Sequence, residues 1–65
     1  MRIDTRRIQI RLAELEMKQS DLAVKMGATR ANISRYVRGQ IATFRTLERL
    51  AKFLKISPLE LLIED

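Results

Sequence analysis

Residues 20–40, SDLAVKMGATRANISRYVRGQ, read as two short helices joined by a tight glycine turn, and the second carries three arginines with no acid among them. Gly27 stands where a first helix ending at Met26 needs a residue tolerant of φ > 0, and Thr29, two positions on, is a good N-cap for the next. Within the second segment Ile33, Tyr36 and Val37 fall at i, i+3 and i+4, which gives it one stripe for a core. Arg30, Ala31, Ser34, Arg35 and Arg38 occupy the other side. A basic outer face on a buttressed helix fits a groove lined with phosphate.

Outward from that joint, the 65-residue chain is expected to form one small domain, residues 1–65, burying only about 60% of the surface its unfolded state exposes. A homodimer would add stability to so small a core. There is no Cys and no His, which removes disulfides, zinc-finger ligand sets, thiol nucleophiles and the common Ser/His and Cys/His catalytic pairs together. No metal, cofactor or small-molecule ligand is expected. Carboxylate pairs such as Glu14 with Glu16, or Glu64 with Asp65, lack a surrounding constellation, so the chain does not read as an enzyme. No apolar run approaches the ~20 residues of a membrane span, and MRIDTRRIQI has no continuous apolar stretch of signal-peptide length. The expected compartment is the cytoplasm, in association with the nucleoid.

The net charge is +5, and its placement says more than its size. Between Asp21 and Glu48 lie Lys25, Arg30, Arg35, Arg38 and Arg45 and no acid, whereas residues 56–65 hold Glu60, Glu64 and Asp65 and no base. A run of like charge is most often a solvated face. Here it coincides with the glycine turn and would orient the molecule toward a polyanion.

Two glycines and one proline leave no linker, and no repeat or low-complexity tract interrupts the chain. The pattern predicts five helices. Asp4 caps the first, with Ile3 and Ile8 placed as a hydrophobic staple and Ile8, Leu12 and Leu15 as its buried stripe. The second starts near Gln19 and buries Leu22, Ala23 and Met26. The third runs from about Arg30 to Arg38, where Gly39 terminates it. Thr43 caps the fourth, with Phe44 near its start and Leu47, Leu50, Ala51 and Leu54 at helical spacing. Ser57, Pro58, Leu59 and Glu60 read as a capping box with proline at N1, so a fifth, short helix carrying Leu61 and Leu62 follows.

A helix in the major groove reads bases from its N-terminal turns, while flanking groups fix its depth by holding phosphates. Arg30 and Arg35 are the reading candidates, since each can grip guanine O6 and N7 in a bidentate pair. Ala31 offers only a methyl contact, and Asn32 and Ser34 are ambivalent hydrogen-bonding groups. Arg38 lies at the far end of the helix and is expected at the DNA backbone, as are Gln40 and Arg45. Gln19 sits beside free N–H groups at the positive end of a helix dipole, where a phosphate is the natural occupant.

The residues LAVKMGATRANISRYVRG, with Gln19 just upstream and FRTLERLAKFLKISPLELL downstream, resemble the Cro/CI-type or Xre helix-turn-helix family, which includes lambdoid phage repressors. The likeness covers roughly residues 6–63, and Gln19, Leu22, Ala23, Gly27, Thr29, Ile33 and Ser34 at these spacings make it fairly specific. The resemblance implies an all-α, compact, five-helix lambda-repressor-like DNA-binding domain in which helices 2 and 3 form the helix-turn-helix. Arg30, Ala31 and Arg35 match positions that usually touch base edges, Asn32 and Arg38 match positions at phosphate or sugar, and Gln19 matches a phosphate clamp. Around Thr43 and Phe44 a backbone N–H usually meets a further phosphate. Both readings together give Arg30, Ala31, Ser34 and Arg35 as base-contacting. They give Lys18, Gln19, Thr29, Asn32, Arg38, Gln40, Thr43, Phe44 and Arg45 as phosphate-contacting. Members usually bind operators as two-fold dimers joined around helix 5, which here offers Ile56, Pro58, Leu59 and Ile63.

Three positions depart from the family pattern. Glu16 stands where glycine is common between helices 1 and 2, so that turn is expected to close differently. Leu12 and Val37 occupy positions where many phage members pair an arginine with a glutamate, and an apolar contact there need not reduce stability. Ile41 and Ala42 replace basic loop residues, so fewer phosphates are expected to be neutralised.

The implied function is that of a sequence-specific, double-stranded DNA-binding transcription regulator. In build it is a small Cro-like repressor that inserts helix 3 into the major groove as a homodimer, formed in solution or only on palindromic half-sites, with no membrane involved. The alternative is an antitoxin or protein-interaction module of a mobile element with secondary DNA binding. A toxin-wrapping segment would mark that alternative, and the chain stops within two residues of the expected helix 5.

Overall fold

The computed structural model describes residues 1–63, and the acidic pair Glu64 and Asp65 lies outside them. Four helices, α1 (Thr5–Glu14), α2 (Gln19–Met26), α3 (Arg30–Val37) and α4 (Phe44–Leu54), are followed by a single 3-10 turn at Pro58–Leu61. Three of the helix starts are capped as the sequence predicts. The carboxylate of Asp4 accepts the Arg7 N–H at 3.0 Å, Thr29 Oγ1 accepts that of Asn32 at 3.1 Å, and Thr43 Oγ1 accepts that of Thr46 at 3.2 Å.

The expected fifth helix is the 3-10 turn, and the count is therefore four α-helices. Its capping box does form, with Ser57 N–H donating to Glu60 Oε2 at 2.9 Å and Leu59 N–H donating to Ser57 Oγ at 3.3 Å. The chain then leaves the turn because its backbone has a better partner. Leu62 forms an antiparallel bridge with Ile3, Asp4 N–H donates to the Leu61 carbonyl at 2.8 Å, and Ile63 N–H donates to that of Arg2 at 3.0 Å. An extended Leu62 cannot also continue a helix.

All four α-helices end in the same two-bond motif, in which a residue with positive φ turns the chain and two amides satisfy the last carbonyls. Gly27 (φ 64°) and Gly39 (φ 86°) serve α2 and α3, as their identity predicts. Glu16 (φ 52°) and Lys55 (φ 58°) serve α1 and α4. The Glu16 turn thus closes as a glycine turn would, with Glu16 N–H on the Ala13 carbonyl at 3.1 Å and Met17 N–H on that of Leu12 at 2.9 Å. A side chain in that conformation costs about 1–2 kcal/mol, and the buried packing of Leu12 and Leu22 on either side of the turn holds it in place.

One hydrophobic core joins Ile8 and Leu12 of α1, Leu22, Ala23 and Met26 of α2, Ile33 and Val37 of α3, and Leu47, Leu50, Ala51 and Leu54 of α4. Tyr36 and Leu15 pack against it half-buried. Leu12 and Val37 are both buried in this core. Ile41 is buried too, at 8% exposure; it pins the loop between α3 and α4 from inside, with its N–H on the Gly39 carbonyl at 3.0 Å.

Arginines close two of the helix C-termini. Arg11 donates from Nε to the Leu54 carbonyl at 2.8 Å and from Nη2 to that of Lys55 at 3.4 Å, and Arg49 donates to the Met26 carbonyl. A cation at the negative end of a helix dipole is favourable. These contacts fix α1 against the end of α4, and α4 against the end of α2, which sets the platform that carries α3. Among the described residues no helix is long and apolar enough to cross a membrane.

Candidate nucleic-acid interface

The outward face of α3 is built by burial on its opposite side. Ile33 and Val37 are in the core and Tyr36 lies against it, which turns Ala31, Ser34, Arg35 and Arg38 outward at i, i+3, i+4 and i+7. Arg30 opens the helix and is exposed, as are Ala31, Arg35 and Arg38, while Ser34 and Asn32 are half-buried. The four residues predicted to touch bases therefore share one solvent-facing side of α3 or its first turn. Arg38 also folds back along that face, with Nη1 donating to Ser34 Oγ at 3.0 Å.

Two helix starts supply free backbone donors. No side chain caps α2, whose N-cap is Lys18; Asp21 instead accepts the Lys18 N–H at 2.9 Å. The amides of Gln19 and Ser20 therefore point outward with no acceptor among the described residues, and both Lys18 and Gln19 are exposed. At α4, the Thr43 cap satisfies Thr46 and leaves the amides of Phe44 and Arg45 open. Such starts carry the positive end of the dipole and suit an anion. Thr29 and Gln40 are exposed at the two ends of α3, as are Thr43, Phe44 and Arg45 beyond it.

The fold also sorts the cations. Arg7 pairs with Glu14 at 3.4 Å and Glu60 at 3.5 Å, Arg11 pairs with Glu14 at 3.5 Å, and Arg49 is tied to a carbonyl. Lys25, Arg30, Arg35 and Arg45 make no ion pair or side-chain hydrogen bond among the described residues. Acids thus engage Arg7 and Arg11 of α1, whereas the arginines of α3 have no acidic partner among the described residues.

The predicted dimer residues lie apart from this surface, on and around the 3-10 turn packed against α1 and α4. Leu59 is 71% and Ile63 38% exposed, whereas Ile56 is half-buried against the core and Pro58 is half-buried. An open cleft of about 320 Å³, lined by Leu15, Glu16, Met17, Asp21, Val24 and Lys25, sits at the elbow between α1 and α2. No group of three or more acidic side chains among the described residues is arranged to hold a metal ion.

Sequence reasoning missed the arginines that hold helix ends, because nothing local to Arg11 or Arg49 points to a carbonyl in another helix. Ile41 does lie in the loop between α3 and α4, and only its burial goes beyond the sequence reading. An isoleucine in an otherwise polar connection was the available sign that the loop is anchored in the core.

No curated protein and no solved structure matches the chain. Residues 7–64, nearly the whole length, match the family described as the Cro/C1-type HTH DNA-binding domain. That match spans both helices of the motif, the caps at Thr29 and Thr43 and the outward face of α3, and the chain belongs to the Cro/C1-type helix-turn-helix DNA-binding family.

Proposed function

We propose that the protein is a sequence-specific transcription regulator, a small Cro-like repressor that places α3 in the major groove of duplex DNA as a homodimer. The observation that carries this reading is the unpaired, acid-free face of α3 on a molecule whose other arginines are largely engaged. Arg30, Ala31, Ser34 and Arg35 read bases. Lys18, Gln19, Thr29, Asn32, Arg38, Gln40, Thr43, Phe44 and Arg45 hold the phosphates on either side. Ile56, Pro58, Leu59 and Ile63 join the two copies, and binding blocks a promoter by occupancy.

Selection from a random duplex library tests the whole reading at once. It should return two related half-sites centred about one helical turn apart, near 34 Å. A single unpaired site would remove the homodimer, and no enrichment at all would remove sequence-specific DNA binding.

A second reading, a protein-interaction module such as an antitoxin with secondary DNA binding, draws on the elbow cleft. Val24 on its rim is 82% exposed, the highest among the large exposed hydrophobic residues. Under that reading Val24→Asp abolishes partner binding and leaves DNA binding intact.

A further inference from the structure

Ser34 is a hydroxyl that the sequence leaves able to donate or to accept, and the fold removes much of that freedom. Side chains on a helix lean toward its N-terminus, and Arg38, the C-cap of α3, reaches back one turn so that Nη1 donates to Ser34 Oγ at 3.0 Å. A guanidinium has five N–H donors and no acceptor, so the direction of this bond is fixed. Ser34 Oγ gives a lone pair to Arg38, and its own proton is left to point elsewhere. The Arg30 carbonyl one turn back already takes the Ser34 backbone N–H and keeps one lone pair, with which a ligand acceptor competes for the Ser34 proton. The charge beside Oγ further opposes the approach of another N–H donor. Ser34 therefore meets a ligand as a donor.

Taking the DNA reading above as the premise, we propose that Ser34 and Arg38 form one specificity-determining unit that selects guanine. The Ser34 hydroxyl donates to the base edge, and Arg38 is the positioning residue that sets its polarity. In the major groove guanine presents two acceptors, O6 and N7, with no amino group or methyl beside them. Adenine places its N6 amino group next to N7, cytosine offers only an amino donor, and thymine sets a methyl beside O4. An amino group here would face both the Ser34 proton and the Arg38 charge. Arg38 keeps four N–H donors after the bond to Ser34, enough to hold a phosphate at the same time. Base preference and backbone grip are thereby linked through one side chain, while Arg35, with no such partner, reads independently.

The test is random-duplex selection at one salt concentration with the wild type, Ser34→Ala, Arg38→Ala and the double variant, each checked for folding by circular dichroism. The wild type should enrich guanine at one position of each half-site. Ser34→Ala and Arg38→Ala should each reduce that enrichment about fivefold at the same position, the size of one net hydrogen bond, and the double variant should reduce it no further. If Arg38→Ala weakens every duplex equally and keeps the base profile, Arg38 is a phosphate clamp alone and the proposal is overturned. Changes at two different positions, or an additive double variant, overturn it as well. Absence of any preference in the wild type is a distinct result, which removes the DNA reading itself.

Discussion

On the proposed function single side chains divide into base readers and phosphate clamps, and each proposed role has its own signature in binding. Arg35 is exposed, unpaired and central on the outward stripe of α3. Replacing it by Ala should cost about 1–3 kcal/mol on the selected site and relax preference at one base pair. Gln19→Ala should weaken all duplexes nearly equally, because on the proposed function it stands beside open amides that hold phosphate, and phosphate carries no sequence information. Identical, uniform losses for both variants across a site library would show that the roles are misassigned. The glycines differ from each other in a comparable way. A Cβ on Gly27 meets nothing within 4 Å, whereas one on Gly39 meets Thr5 Cγ2 at 3.0 Å and Ile3 Cβ at 3.6 Å. Gly27→Ala should thus lose about 1–2 kcal/mol from its positive φ alone, and Gly39→Ala should lose more, as read by denaturant unfolding.

At the scale of elements, the helix ends carry most of the local strain. Glu16 holds a left-handed conformation and also places an acid at the negative end of the α1 dipole, while Lys55 holds the same conformation with a favourable charge. Glu16→Gly should therefore raise stability by about 0.5–1 kcal/mol, the relieved strain less the entropy glycine adds to the unfolded chain. Lys55→Gly should gain less. Equal gains in thermal melts would show that the dipole plays no part. The 3-10 turn has a pH signature. Glu60 is held below its ordinary value of 4.5 by the Ser57 N–H first and by Arg7 next. A carboxylate depressed in the folded state contributes at neutral pH, and its contribution disappears as pH falls below 4.5 through the folded value. The melting difference between wild type and Glu60→Ala should shrink between about pH 7 and about pH 3. A constant difference would mean that the charge of Glu60 does not support the turn.

The whole molecule behaves as a polarised body. Arg7 and Arg11 are engaged by Glu14, Glu60 and the end of α4, whereas Arg30 and Arg35 on α3 and Arg45 at the start of α4 have no acidic partner among the described residues. On the DNA reading, affinity should fall with salt at a log–log slope near −0.9 per phosphate neutralised. Arg45→Gln should reduce that slope by about 0.9 per subunit without changing the base profile. An unchanged slope would take Arg45 off the DNA backbone. The longest extent of the protein is 32 Å, so the proposed pair of copies could sit side by side on half-sites about 34 Å apart. On that reading the exposed Leu59 and Ile63, in and after the 3-10 turn that packs on α1 and α4, are the proposed joining surface.

By itself the sequence determined the features whose chemistry closes within a few residues. Asp4, Thr29 and Thr43 cap helices through N–H groups three positions on, Gly27 and Gly39 end them, and the apolar spacing fixes which side of each helix is buried. The outward face of α3 follows from that spacing alone. Tertiary structure decided what depends on partners distant in the chain. Arg11 finds the end of α4 at a separation of 43 residues and Arg49 finds that of α2 at 23. Ile3 draws Leu62 out of the expected helix, and Ile41 becomes part of the core. Glu16 and Lys55 turn left-handed because packing on both sides outweighs a local preference of about 1–2 kcal/mol. None of these is written in the residues adjacent to them, since a lone carbonyl, an open sheet edge or a gap in a core exists only once the helices have met.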